Sequence, residues 1–181
     1  KTMAEAFSNK LSRAVGVVTT NSSGSIGVTT NHITGISTVG VSVGDLVDNS
    51  NYLFGTTVQS VGIASVIANR DSTNTAAASN QSIKFLGLTS CYTSAAATKS
   101  ILIGGTFANN TANSVNLTVI VHDSSTNIAV GLANKIPVPT GSSFVISDAG
   151  KTILEAQDSV RVFADSANAI DVNLSILTGV S

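Results

Sequence analysis

The chain has 181 residues, only 10% of them charged, with nine Lys and Arg against ten Asp and Glu and a formal net charge of -1. A typical globular domain carries about 25% charge, and phosphate binding needs clustered Lys and Arg, so the composition excludes an electrostatic nucleic-acid binder and an acidic tail. Hydrophobic residues reach 43% while aromatics stay at 4%; Val, Ile and Thr fit the pleat of half-buried strands, and Ser, Asn and Gly fit the turns between them.

No apolar run is long enough to span a bilayer, and KTMAEAFSNKLSR lacks the apolar centre of a signal peptide. The single cysteine, Cys91, allows no internal disulfide and fits assembly in a reducing cytoplasm. As a lone thiol it reads as a small buried apolar residue.

At the start of the chain, Thr2-Met3-Ala4-Glu5 matches a capping box, and Met3, Phe7 and Leu11 follow at steps of four. This spacing predicts a short N-terminal helix with one apolar stripe. A helix that short does not persist alone in water, so it has to dock, either on its own domain or as an arm on a partner subunit. Met3, Phe7 and Leu11 are the candidate docking residues.

Residues 13–20 read as a strand, and Asn21-Ser22-Ser23-Gly24 as a turn. Val39, Val41 and Val43 alternate with Gly40, Ser42 and Gly44, a period of two that predicts another strand. Ser37–Val41 is echoed by Gln59–Ile63, but a solenoid needs about three or more such units. Residues 25–88 therefore read as a compact β module that includes a polar loop, Asn69–Gln81.

Further on, a strand is expected over Lys99–Ala108, with Ile101, Ile103 and Phe107 on one face. Val115–His122 alternates cleanly, and Ile128–Ala133 is a short strand. Ile136-Pro137-Val138-Pro139 belongs at an edge or in a connection. Short strands follow near 143–147, 151–154 and 160–163, and Ile170, Val172, Leu174 and Ile176 alternate to the end. Strands set apart by turns at this spacing predict antiparallel sheets in a sandwich or jelly-roll-like barrel.

Side chains able to do chemistry are few. His122-Asp123 pairs a base with a carboxylate, but neighbours on a strand point to opposite faces. His32 has no second ligand at a metal spacing. Asp45, Asp48 and Asn51 have the wrong spacing for a calcium loop. The glycines of residues 24–47 form neither a dinucleotide fingerprint nor a P-loop. Glu155, Asp158, Asp165 and Asp171 could supply the two opposed carboxyls of a glycoside hydrolase, yet the aromatics that hold sugar are scarce. No cofactor and no metal are expected.

Three stretches carry a resemblance: YTSAAATKSILIGGTFANNTANSVNLTVIVHD (Tyr92–Asp123), KIPVPTGSSFVIS (Lys135–Ser147) and KTILEAQDSVRVFADSANAIDVNLSIL (Lys151–Leu177). Together with the leading AEAFSNKLSRAVG they resemble small virion structural proteins of tailed phages, notably those of marine bacteria and cyanobacteria. The middle module, with its GTTV and SV phrases, looks like small β domains of phage tail and fibre proteins. The resemblance implies an inserted domain between the N-terminal segment and the YTSAAATK strand, and neither catalysis nor a cofactor.

The resulting expectation is an all-β antiparallel β-sandwich, jelly-roll-like, with a small inserted β module and a short N-terminal helix. Its parts are 1–17 (helix and first strand), 18–88 (inserted module) and 89–181 (sandwich). The expected function is a non-enzymatic virion protein, assembled in the host cytoplasm and present in several copies as capsid decoration or on the neck or tail. Its partners would be other virion proteins and further copies of itself, a homotrimer by analogy, with no nucleic acid and no membrane. The competing expectation is a receptor- or glycan-binding module of a fibre or tail tip, carried by the loops at Asn31–Thr34 and Asn69–Gln81.

Overall fold

The computed structural model describes residues 5–147 and 151–180. These form antiparallel strands with no helix. In chain order the strands are β1 (Ala6–Val15), β2 (Val18–Ile26), β3 (His32–Thr34), β4 (Leu46–Asp48), β5 (Val58–Val61), β6 (Ser65–Ala68), β7 (Ala78–Leu86), β8 (Thr89–Thr93), β9 (Lys99–Asn109), β10 (Val115–Asp123), β11 (Ile128–Val138), β12 (Ser143–Ile146), β13 (Thr152–Leu154), β14 (Ser159–Ala164) and β15 (Ile170–Val180). They divide into two compact units. One runs through Gly16 and resumes at Thr89; the other is Val17–Leu88.

In the first unit, one sheet has the order β1-β15-β9-β12, with β13 also on β9, and the other has the order β11-β10-β14-β8. Pairing is nested along the chain: β1 with β15, β8 with β14, β9 with β12 and β13, and β10 with β11. Inward residues of both sheets share one hydrophobic cluster, with Leu102, Phe107, Leu174 and Ile176 from one and Leu117, Val119, Val160 and Val162 from the other. The clean alternation of β10 produces this directly, since Leu117 and Val119 fall on the buried face.

Strand β9 departs from the expected pattern. A bulge sets Ile176 opposite Leu102 but Ser175 opposite Gly104, leaving Ile103 as the extra residue. The extra residue flips the face, so Ile101 is half-buried on the outer side while Phe107 is fully buried.

In the second unit the strand order is β4-β7-β2-β3-β6-β5, and the two ends of this order meet. Leu46 bridges Thr57, Val58 N donates to Asp45 O at 2.8 Å and Val47 N to Thr56 O at 2.8 Å. The sheet thus closes on itself, which removes free edges, around a core of Ile26, Ile33, Val58, Val66, Ile83 and Phe85. Gly24 is required here, because a Cβ would collide with the side chain of Ile83.

Three further expectations are overturned. Asn21-Ser22-Ser23-Gly24, expected as a turn, lies within β2 and pairs with β7, a bulge between Asn21 and Gly24 taking up the extra residue. The N-terminal helix is a strand: β1 pairs with β15 from Ala6 to Val15, and Met3 lies outside the described residues. A spacing of four is even, so it puts Phe7 and Leu11 on one face of a strand as well as on one stripe of a helix. Likewise, residues 38–45 form two turns rather than a strand. Val41 N donates to Thr38 O at 3.1 Å and Asp45 N to Ser42 O at 3.2 Å. Gly40 and Gly44 sit third in each turn at φ 81° and 94°, as a type II turn requires. The apparent period of two is a period of four.

Candidate interaction surface

Strand β1 is inverted. An edge strand normally turns apolar side chains to the core and polar ones to water. Here the inward residues are Ser8, Lys10 and Ser12, opposite the buried Ile176, Leu174 and Val172. The outward residues include Phe7, 79% exposed, and Leu11, 75% exposed. Lys10 keeps its ammonium 6.0 Å from the centre of the Tyr92 ring.

Register carries the apolar character across the sheet. Phe7 lies opposite Leu177, Leu177 opposite Ile101, and Ile101 opposite Ile153. This row is one apolar ridge on the outer face, open to solvent at both ends, since Ile153 is also exposed. A second row runs Leu11, Asn173, Thr106, Val145, with Leu11 and Val145 exposed. Between the two lies a row of small or polar residues, Asn9, Ser175 and Gly104. A Cβ on Gly104 would come within 2.9 Å of the Ile146 carbonyl oxygen, so no side chain fits at this position.

Beyond the second ridge is a hollow of about 420 Å³ bordered by Leu11, Arg13, Thr106, Ala108, Asp171 and Asn173. Asp171 is fixed there, accepting from Ala14 N at 2.7 Å and Asn110 Nδ2 at 3.2 Å. Charge sits at the margins of the face: Arg13 and Asp171 at one end, and the Lys99–Glu155 ion pair at 3.1 Å at the other. An apolar band with a charged rim is the anatomy of a protein-protein contact.

Of the docking residues expected from sequence, Phe7 and Leu11 therefore lie on one exposed face. Ile101, Val145, Ile153 and Leu177 complete that face. The signal for them was the even spacing of apolar residues on several strands, legible only once the register between strands is known.

The other polar candidates hold loops. Asp158 accepts from Ser124 N and Glu155 N, both at 3.0 Å. Asp165 accepts from Asn116 N at 2.8 Å and its side-chain amide at 2.7 Å. Asp45 accepts from Ser42 N and Leu88 N. The Asp123 carboxylate takes the hydroxyl and amide of Ser125 and the amide of Thr126. These bonds to Ser125 and Thr126 hold it down to about 2. His122 Nε2 lies 2.9 Å from Asn127 Oδ1, across the same turn. Burial pushes the Cys91 thiol up, against the opposing Ser12 hydroxyl. Among the described residues, no group of three or more His, Cys, Asp and Glu could hold a metal ion.

In the second unit, the expected loops at Asn31–Thr34 and Asn69–Gln81 are partly strand, since His32–Thr34 is β3 and Ala78–Gln81 opens β7, and the loop residues beside them bond to neighbouring segments. Ala68 N donates to Asn31 O, Ser72 N to Thr30 O, Thr73 N to Asn51 O, and Asn74 Nδ2 to Gly27 O at 2.9 Å. Ser72 is buried and its hydroxyl accepts from Thr30 N at 3.0 Å. These polar groups are committed to the loops' own shape. A smaller apolar patch of this unit joins Ile63, fully exposed in the β5–β6 turn, to the loop of Val39, where Thr38 Oγ1 donates to Ile63 O at 3.2 Å.

Comparison of the chain with protein-family models, with curated proteins and with solved structures found no match.

Proposed function

We propose that the chain is a non-enzymatic structural protein of a tailed-phage virion, assembled in the host cytoplasm and carried in many copies as capsid decoration or on the neck or tail. The observation that supports it most is the inverted strand β1, with Phe7 and Leu11 outward and Ser8, Lys10 and Ser12 inward. Leaving an apolar ridge in water costs about 25 cal/mol per Å², and a covering partner removes that cost.

The topology supports the same reading. If β12 and β13 count as one, the first unit has eight strands paired first with last, second with seventh, third with sixth and fourth with fifth. That nested ladder, folded over one core, is the pattern of a jelly-roll sandwich, an architecture found in capsid and lectin domains. Fold alone does not assign function; the exposed ridges and the phage-like phrases of the sequence supply the rest. Of the carboxylates that could serve hydrolysis, Asp158, Asp165 and Asp171 instead accept backbone amides and Glu155 pairs with Lys99, which favours a structural role.

Immunogold labelling with antibody to the purified chain tests the proposal in a culture whose cells carry the gene. Label at repeated positions on tailed particles is the expected result. Label confined to soluble cell material would overturn it.

A further inference from the structure

The outer face of the β1-β15-β9-β12/β13 sheet has a definite relief. Moving along the strands, the levels are a ridge (Phe7, Leu177, Ile101, Ile153), a low row (Asn9, Ser175, Gly104), a second ridge (Leu11, Asn173, Thr106, Val145) and the hollow beside Arg13, Asp171 and Ala108. Successive levels are two residues apart, about 7 Å along a strand, except on β9, where the bulged Ile103 is an extra residue between the first ridge and the low row. High, low, high, low is a profile that fits itself after a half turn. The axis must lie in the face and cross the strands between the low row and the second ridge, at the level of Lys10. The first ridge of one copy then enters the hollow of the other, and each second ridge enters the other's low row.

We propose that two copies of the chain stack these faces about that twofold axis. The inference rests on reading this face as the assembly surface, and it names the occupant and the register. The two sets of strands run antiparallel, crossed by the roughly 30° that sheet twist imposes on aligned packings. Phe7 of one copy meets the hollow beside Arg13 of the other, where a guanidinium over a ring adds cation–π attraction. Leu11 of one copy lies over Asn9 and Ser175 of the other.

Four strands at about 4.8 Å and seven or eight residues at about 3.4 Å give a projected face of roughly 500 Å². Its relief raises the accessible area toward the ~600 Å² per partner at the low end of specific interfaces. The dimer is therefore concentration-dependent. A twofold contact is isologous, each copy offering the same patch; a trimer contact, expected above by analogy, would need two different patches.

Sedimentation equilibrium of the full chain from about 1 to 100 µM, a range centred on micromolar affinity, tests the proposal. The wild type should approach the dimer mass. Leu11→Lys and Asn9→Glu should each weaken association at least tenfold, with unchanged far-UV circular dichroism, because each puts an unpaired charge into the contact. An equimolar mixture of the two variants should regain the dimer mass, since the register places position 11 of one copy over position 9 of the other. A wild type that stays monomeric, a variant that still dimerises, or a mixture that stays monomeric would each overturn the twofold stack. None of these results moves the label on particles, so the assembly role and this contact fail separately.

Discussion

Tyr52 shows how single residues hold the second unit. Its ring belongs to the hydrophobic cluster and its hydroxyl donates to Thr30 O at 3.1 Å. Burial, and then the charge of Asp71, push the phenol up to about 12, against an ordinary value near 10. A phenol whose folded value lies above its unfolded value stabilises the fold in full below about pH 10. That contribution is lost as pH rises through about 12. Titration of tyrosinate absorbance in the native chain should therefore show a component with a midpoint near 12, which Tyr52→Phe removes. The same substitution should cost about 1 kcal/mol at neutral pH through the lost hydrogen bond. Ionisation of both tyrosines near pH 10 would contradict the burial of this ring. Aspartates tell a related story at this scale. In sequence, Asp158, Asp165 and Asp171 read as candidate hydrolase carboxyls; only the loops they meet in space show them as acceptors for backbone amides.

At the scale of elements, β1 and β15 make a controlled pair. Leu174 is fully buried on the inner face, and Leu11 stands 75% exposed on the outer face. Leu174→Ala should cost about 2–5 kcal/mol, whereas Leu11→Ala, measured by urea unfolding at a concentration low enough to keep the chain monomeric, should stay within about 0.5 kcal/mol. Equal losses would mean that Leu11 is part of the core and β1 is not inverted. This strand also marks where the sequence stops being legible. Long alternating segments such as Val115–Asp123 announce themselves, because Val115, Leu117 and Val119 share one buried face. Over Ala6–Val15 the apolar residues sit at even spacing, which serves helix and strand alike, and the partner strand β15 decides between them. In Thr38–Asp45, Val and Gly alternate as in a strand, yet each Val-Gly pair is the centre of a turn that glycine's positive φ permits. The bulge at Ile103 is equally silent in the sequence and reverses which residues of β9 face the core.

At the scale of the whole molecule, the chain leaves the first unit after Gly16 and returns to it at Thr89. Each unit has its own cluster of buried side chains, with Phe107 in one and Phe85 in the other. Each of these rings is essentially inaccessible, Phe107 at 0% and Phe85 at 1% exposure. Truncation of either should cost about 3–5 kcal/mol. Local stability follows cooperative units rather than the chain as a whole, so the two losses should appear in different places. Phe85→Ala should speed amide hydrogen exchange across β2, β3, β6 and β7 and leave β9, β10, β14 and β15 protected. Phe107→Ala should reverse that pattern, although the strands it loosens come from both ends of the chain: β1 pairs with β15 across more than 150 residues of sequence, as the Ala14–Asp171 hydrogen bond illustrates with a separation of 157. Loss of protection in both units from either substitution would show that they unfold as one cooperative body. If they unfold apart, replacing the second unit would leave the ridged outer face of the first able to pair, and the two parts of the chain could change independently.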